Sequence, residues 1–248
     1  MRISVVIPAY NAANSIGKAI ASCMRQTLQP YQVIVVDDAS NDNTSEVVMQ
    51  HTGVFLITLD KNSGPSTARN EGWRAATGDI IAFLDADDEW HNEKLATIHK
   101  VFSQNSEVQF LGHPYTLSHA HKPVQAAIEI QKKSYTAILL RNSFQPSCIA
   151  VRNTLPLRFD ESYRYCEDHE LAIRVAHKYS CHWLDVPLTI LGRPQLSAGG
   201  ASANQWKMRK GELRLYTSIY KHNIFYTAFI PLLWIYSLGK MLLRRLLH

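Results

Sequence analysis

Very little in this chain of 248 residues points to cysteine or histidine chemistry. Its four cysteines, Cys23, Cys148, Cys166 and Cys181, are scattered and form no CxxC pair. That spacing argues against a zinc site and a disulfide scaffold, and fits a reducing compartment. The eleven histidines contain no HxxxH or HExxH pattern, so none is assigned as a ligand. No GxGxxG follows a strand-like run, which removes the dinucleotide fingerprint. The start, MRISVVIPAYN, lacks the long apolar stretch and small-residue cleavage site of a secretory signal. Internal repeats are absent.

What is present is a core-former. Hydrophobic residues make up 46% of the chain and charged ones 19%, the balance of a globular protein rather than a disordered one. The net charge of +5 is unevenly placed. From Asn204 to His248 eight basic residues face only Glu212, giving +7, so the remaining 203 residues carry −2. A basic tail interleaved with Leu, Ile, Phe, Trp and Tyr reads as a membrane-surface contact rather than a nucleic-acid site.

The first hundred residues alternate between two patterns. Residues 3–7, 33–36, 54–59 and 80–84 are short, β-branched, apolar runs, as in parallel strands buried on both faces. Helical stretches lie between them at about 15–26, 44–50 and 66–76, followed by Pro30, Gly53 and Gly78. This alternation predicts right-handed crossovers and a doubly wound, mostly parallel α/β sheet flanked by helices. Beyond a helix near 92–104 the pattern weakens. Strands are expected at 108–112 and 148–151, a short helix at 134–141, and a helix at 167–179 with acidic residues in its first turn. Residues 192–203, rich in Gly, Ser and Ala, read as a mobile loop. Domain boundaries follow: a body at 1–203, with halves at 1–104 and 105–203, then a helical tail at 204–248.

Ligands of open α/β sheets bind beyond the carboxyl ends of strands, and the polar clusters sit there. The first strand runs into Pro8-Ala9-Tyr10-Asn11, the second into Asp37-Asp38-Ala39-Ser40-Asn41, and the fourth into Asp85-Ala86-Asp87-Asp88. Carboxylates this crowded repel one another, and a hard Mg²⁺ or Mn²⁺ relieves that repulsion. An exposed acidic loop before a helix explains the same residues without a metal. In the tail, 222–239 holds 18 residues without Asp, Glu, Lys or Arg, borderline for a bilayer span. Pro231 should kink it, and basic flanks at both ends oppose a single crossing. A segment lying in, or re-entering, the cytoplasmic leaflet is expected; a packed helix pair is the alternative.

Five stretches carry a family resemblance: SVVIPAYN at 4–11, VIVVDDASNDNT at 33–44, KNSGPSTARNEG at 61–72, GDIIAFLDADDEW at 78–90 and CEDHELAIR at 166–174. In this order and spacing the chain resembles a family 2 glycosyltransferase with the A-type fold, of the inverting, bacterial polysaccharide kind. The resemblance implies residue roles. Pro8, Tyr10 and Asn11 would frame the nucleobase, with Tyr10 stacking on it. Asp38 would accept a hydrogen bond from the uracil imide, while Asp37 orders the turn or, with Asn41, caps the helix. Arg69, with Asn70, would approach the nucleotide. Asp87 would bind Mn²⁺ or Mg²⁺ directly, Asp85 the ribose or the metal through water, and Asp88 would support them or cap the next helix. Asp168 would be the general base, with Glu167 orienting it or the acceptor. Where many relatives carry a histidine this chain has Gln195, so Arg193 would bind diphosphate instead, with the glycine-rich loop around Gly199 and Gly200 closing over it. Residues 111–115 and 142–147 would shape the sugar pocket.

The expected partners are a nucleoside diphosphate sugar, most simply uridine-linked, a glycan or lipid-linked acceptor, and a membrane surface met by the tail, with no nucleic acid. The expected place is the cytoplasmic, inner face of a membrane. Two alternatives are a nucleotidyltransferase, which would want a basic glycine-rich loop after the first strand, and a non-catalytic scaffold, which would be free to lose Asp87 and Asp168. A receiver domain would need its acidic pair after the first strand and is excluded.

Overall fold

A computed structural model describes residues 1–118, 129–194, 204–221 and 223–247, with side chains up to residue 241. Its first half alternates as expected: β1 (Ile3–Ala9), α1 (Ile16–Met24), β2 (Gln32–Asp37), α2 (Thr44–Met49), β3 (Val54–Thr58), α3 (Pro65–Ala75), β4 (Ile80–Phe83), β5 (Glu89–Trp90) and α4 (Lys94–Gln104). The second half holds β6 (Phe110–Gly112), β7 (Tyr115–Thr116), β8 (Ile130–Lys133), α5 (Tyr135–Leu140), β9 (Ile149–Arg152), α6 (Glu167–Lys178), β10 (Cys181–Leu184) and β11 (Thr189–Ile190). α7 (Gln205–Ser218) and α8 (Ile230–Leu247) follow, joined by 3₁₀ turns at Ile219–Lys221 and Ile224–Phe229.

Among the described residues the main sheet has eight strands in the order β3-β2-β1-β4-β9-β6-β10-β8. β3, β2, β1 and β4 run parallel, while β9 is antiparallel to both β4 and β6. Side chains alternate across the strands, so neighbours in sequence enter opposite cores. Val6, Val36, Ile81 and Phe83 join Trp73, Leu171 and Tyr216 on one face. Val5, Ile7, Val35 and Ile80 join Ile16, Ile20, Leu95 and Ile98 on the other. Pro8 fits a central strand for a local reason. The β1–β4 register ends at Val6↔Phe83, and Pro8 faces the same side beyond that end, where no ladder bond needs its missing N–H.

A second sheet, β5-β11-β7, was not visible in the sequence pattern because its strands have two residues each. It matters for position, since it carries residues 189–191 alongside the acidic loop after β4. Residues 195–203, including Gln195 and the expected lid at Gly199 and Gly200, lie outside the described residues.

The tail differs from expectation at Pro231. It falls in the first turn of α8, where its missing N–H breaks no helical bond, so it starts the helix instead of kinking it. Ile224–Met241 is long and apolar enough to cross a membrane, with mean hydropathy 1.3. Yet Leu215, Tyr216, Ile219 and Leu233 are buried in the core with α5 and α6, so the start of the tail packs on the body.

Candidate active site

The carboxyl ends of β1 and β2 are stitched to each other. The Asn11 N–H donates to Ser40 Oγ (2.9 Å), and Asn11 Oδ1 accepts from the Asn41 N–H (2.8 Å). Asn41 therefore serves this stitch and does not cap α2, whose N-cap is Asn43. Asp37 orders the turn: Oδ1 accepts from the Ser40 N–H (2.9 Å) and Oδ2 from the Ser45 hydroxyl. Tyr10 stands 47% exposed beside them, with a face available for stacking.

Asp38 is buried, and its two oxygens accept from the backbone N–H groups of Ser63 and Gly64, both at 2.7 Å. The chain itself engages this carboxylate first, and a nucleobase N–H would have to use a remaining lone pair. Backbone strain gathers at this rim. Asn11, Ala39 and Cys166 are the described non-glycine residues with positive φ (49°, 58° and 61°), and they directly flank Tyr10, Asp38 and Glu167.

Arg69 departs from its expected role. Its side chain is only 4% exposed, and it bridges two carboxylates: Asp85 Oδ1 at 2.7 Å and Glu167 Oε1 at 2.9 Å. Where an approach to the nucleotide is expected, this guanidinium meets acidic groups of the chain, because two such partly buried carboxylates need a cation between them. Burial pushes the Asp85 and Glu167 carboxyls up, against the pull of Arg69. Glu167 thus serves Arg69 rather than Asp168. Asn70 also turns inward, binding the Phe159 carbonyl and Glu161 (both 2.9 Å) and locking the loop before α6.

The acidic loop has three differently placed carboxylates. Asp87, partly exposed, is gripped by Arg193, whose Nε and Nη2 reach Oδ2 at 2.7 and 2.5 Å. Asp88 is buried and does not cap α4, whose N-cap is Glu93. Instead it accepts from the Ser147 hydroxyl (2.6 Å) and the Gly192 N–H (3.0 Å). Burial first, then the nearby Asp85 charge, pushes its carboxyl up to about 7. Gly192 has no alternative: a Cβ there would lie 1.7 Å from the Asp87 carbonyl oxygen. Arg193 is therefore delivered to Asp87 by a backbone already clamped to the loop.

Beneath the loop lies a polar hub that the sequence reading missed. Ser147 Oγ accepts from the Asp85 N–H (2.9 Å), and its carbonyl accepts from Trp90 Nε1 (3.0 Å), Lys94 Nζ (2.6 Å) and Thr189 Oγ1 (2.7 Å). Lys94 is fully buried 4.1 Å over the Trp90 ring, and desolvation lowers its ammonium to about 7. Nothing in its local sequence distinguishes it from an exposed helix-start lysine.

Asp168 occupies the first turn of α6, where the helix dipole favours an anion. Oδ2 accepts from the Asn142 amide (2.8 Å) and Oδ1 from the His169 N–H (2.8 Å). Burial raises this carboxyl, and the Asn142 bond works against the rise. Two residues of 142–147, the stretch expected to shape the sugar pocket, fix Asp168 and the acidic loop.

Among the described residues no cluster of three or more His, Cys, Asp or Glu side chains is arranged to hold a metal. Asp87 and Asp85 carry oxygens of the kind a hard ion takes, although Asp85 Oδ1 already accepts from Arg69. The Arg193 guanidinium already places positive charge against Asp87, which is the electrostatic demand that such an ion would meet.

Comparison with known proteins fits this architecture. A Nostoc protein described as the uncharacterized glycosyltransferase alr2836 is 38% identical over 117 residues, and the match spans 46% of this chain but only 36% of that relative. An Escherichia coli protein, UDP-Glc:alpha-D-GlcNAc-diphosphoundecaprenol beta-1,3-glucosyltransferase WfgD, is 27% identical over 84% of this chain and 82% of its own length. The crystal structure of S. aureus TarS in complex with UDP-GlcNAc superposes with a TM-score of 0.74, at 18% identity, over 96% of this chain and 72% of that one, a likeness of fold. The family model described as Glycosyl transferase family 2 matches residues 4–158, more than half of the chain, so this protein belongs to glycosyltransferase family 2.

Proposed function

We propose that this protein moves a sugar from a uridine-diphosphate-linked donor to a hydroxyl of a lipid-linked glycan, with inversion at C1, in bacterial surface polysaccharide assembly. The observation that carries the reading is the Arg69 bridge. It ties the donor-side Asp85 to Glu167, so the helix start bearing Asp168 is fixed against the strand end bearing Asp87. Tyr10 and Asp38 form the base end of the same rim. WfgD is named for a UDP-glucose donor and a diphosphoundecaprenol-linked acceptor, and TarS was solved with UDP-GlcNAc, which supports a uridine donor and a lipid-linked acceptor here.

In this mechanism Asp168 takes the proton of the acceptor hydroxyl as that oxygen attacks C1. The C1–O bond to the diphosphate breaks on the opposite face, and its electron pair leaves with the nucleoside diphosphate. Asn142 holds the carboxylate toward the acceptor. Mg²⁺ or Mn²⁺ held by Asp87, with Asp85, would supply positive charge against the departing diphosphate. Arg193 must release Asp87 for that, and the freed guanidinium can pair with the phosphates.

The tail would rest on the inner face of the membrane, keeping the enzyme cytoplasmic and peripheral. Leu233, Ser237 and Met241 face inward, while Phe225, Leu232 and Ile235 are 82%, 60% and 66% exposed. An apolar face with basic neighbours suits an anionic leaflet.

Calorimetry of uridine, guanosine and thymidine diphosphates with and without Mn²⁺ tests the donor site; Mn²⁺-dependent preference for uridine diphosphate is expected. Preference for another base would remove the Asp38 assignment. Asp168→Asn should keep nucleotide binding and lose transfer, and surviving transfer would dismiss it as the base.

A further inference from the structure

Both segments that hold Asp168 are covered by the C-terminal helices. Residues 162–166 lead into α6. Arg214 of α7 donates to the Ser162 carbonyl and hydroxyl, both at 2.8 Å, and lies 4.3 Å above the Tyr163 ring. The Cys166 thiol donates to the Met208 carbonyl (3.5 Å). A Cβ on Gly211 would come within 3.0 Å of the Tyr165 carbonyl oxygen and 3.3 Å of Cys166 Sγ, so α7 approaches about as closely as glycine permits. It therefore presses on the left-handed residue from which α6 starts.

The second segment is α5, which leads to Asn142. The Tyr216 hydroxyl of α7 donates to Glu212 Oε1 (3.0 Å) and lies 3.4 Å from the Leu139 carbonyl, and the Tyr236 hydroxyl of α8 donates to the Leu140 carbonyl at 3.4 Å. Tyr226 and Thr136 share a hydroxyl bond of 2.6 Å. The two helices are clasped through Glu212, which pairs with Arg209 on α7 and accepts from Ser237 (3.0 Å) and Lys240 (2.5 Å) on α8. The outer side of this assembly is apolar, and Lys207, Lys210 and Lys221 are exposed on the same tail. That charge matches anionic headgroups.

We propose that α7 and α8 transmit membrane contact to the base: an anionic lipid surface on the outer face of α8 steadies α7, and through it the segments that hold Asn142 against Asp168. The inference rests on Asp168 being the base. Lipid binds best the form in which α8 is clasped on α7, so it shifts the population toward the form with Asp168 in place. Turnover responds more than donor binding, because the helices meet the segments bearing Asn142 and Asp168 directly, whereas Asp38 is held by Ser63 and Gly64 and Asp87 by Arg193, and a shift reaches the donor side only through the Arg69 bridge.

The test uses the full chain, a water-soluble acceptor and the sugar nucleotide preferred in binding. Turnover is measured without vesicles, with phosphatidylcholine vesicles and with phosphatidylglycerol vesicles. Phosphatidylglycerol should raise kcat, with a smaller change in donor KM. Arg214→Ala, an exposed change that should leave folding intact, should bind the vesicles like wild type yet lower kcat by about tenfold to a hundredfold, the scale of a misplacement approaching 1 Å. It should also shift the acid limb of the kcat profile, which a merely stabilising contact would not do; Arg214→Lys should restore part of the loss. Wild-type kcat and pH limb in Arg214→Ala, or vesicle binding without any rise in kcat, would overturn the coupling. No transfer by wild type from any donor would instead remove the base assignment, and the coupling with it.

Discussion

Replacing Arg193 with alanine should move two affinities in opposite directions. In the free protein the guanidinium holds Asp87 through two N–H groups on one oxygen at 2.7 and 2.5 Å, and so would compete with the proposed cation. The side chains are 43% and 35% exposed, so solvent screens much of their attraction. Pairs of this kind contribute about 0.2–1 kcal/mol, and the double contact places this one near the upper end. Arg193→Ala should therefore tighten Mn²⁺ binding to the nucleotide-free protein by up to roughly fivefold. Uridine diphosphate with Mn²⁺ should bind the variant more weakly, because the released guanidinium no longer meets the phosphates. Electron paramagnetic resonance of free Mn²⁺ reads the first quantity and calorimetry the second. At about 1 M salt, with a screening length near 3 Å, the Mn²⁺ difference should shrink. Unchanged or weaker Mn²⁺ binding in the variant would refute the competition. Unchanged nucleotide affinity would refute the transfer of Arg193 to the phosphates.

Two further outcomes are expected. Asn142→Ala removes a donor that favours the ionised form of Asp168, so the already raised carboxyl rises further. In the proposed mechanism the active form is the deprotonated one, so the acid limb of kcat should move to higher pH; a limb that stays or moves down would separate Asn142 from the proposed base. Arg69→Met leaves Asp85 and Glu167 without their shared cation and should cost about 3–5 kcal/mol in urea unfolding, while a loss under about 1 kcal/mol would mean that solvent neutralises them.

The parallel half was legible because its strands are buried on both faces and appear as near-continuous Val and Ile runs. Their ends then placed Tyr10, Asp38 and Asp85 on one rim. The Asp168 helix was visible from its acidic first turn. What escaped notice was contact between distant segments. Ser147 and Asn142 occupy a stretch with no periodicity, and their partners are 59 and 26 residues away. Arg69 was assigned outward because a guanidinium near a phosphate site suggests a ligand, and sequence alone did not show Glu167, 98 residues on, arriving beside it. β5, β11 and β7 are too short to leave an alternating pattern, so the support beneath Arg193 was invisible as well.

The Arg69 bridge also bears on how this protein can change over evolutionary time. Asp85, Arg69 and Glu167 form one electrostatic unit spanning a strand, a helix and a second helix. Loss of the arginine leaves two carboxylates without their cation in a poorly hydrated place, whereas loss of one acid leaves a balanced pair, so the arginine should be the member least open to single replacement. Descendants that abandon the arginine should abandon Glu167 with it, while Asp85 stays where the proposed cation needs it. Sugar preference can meanwhile drift through the neighbouring walls, because the trio anchors the rim without itself selecting what the rim accepts.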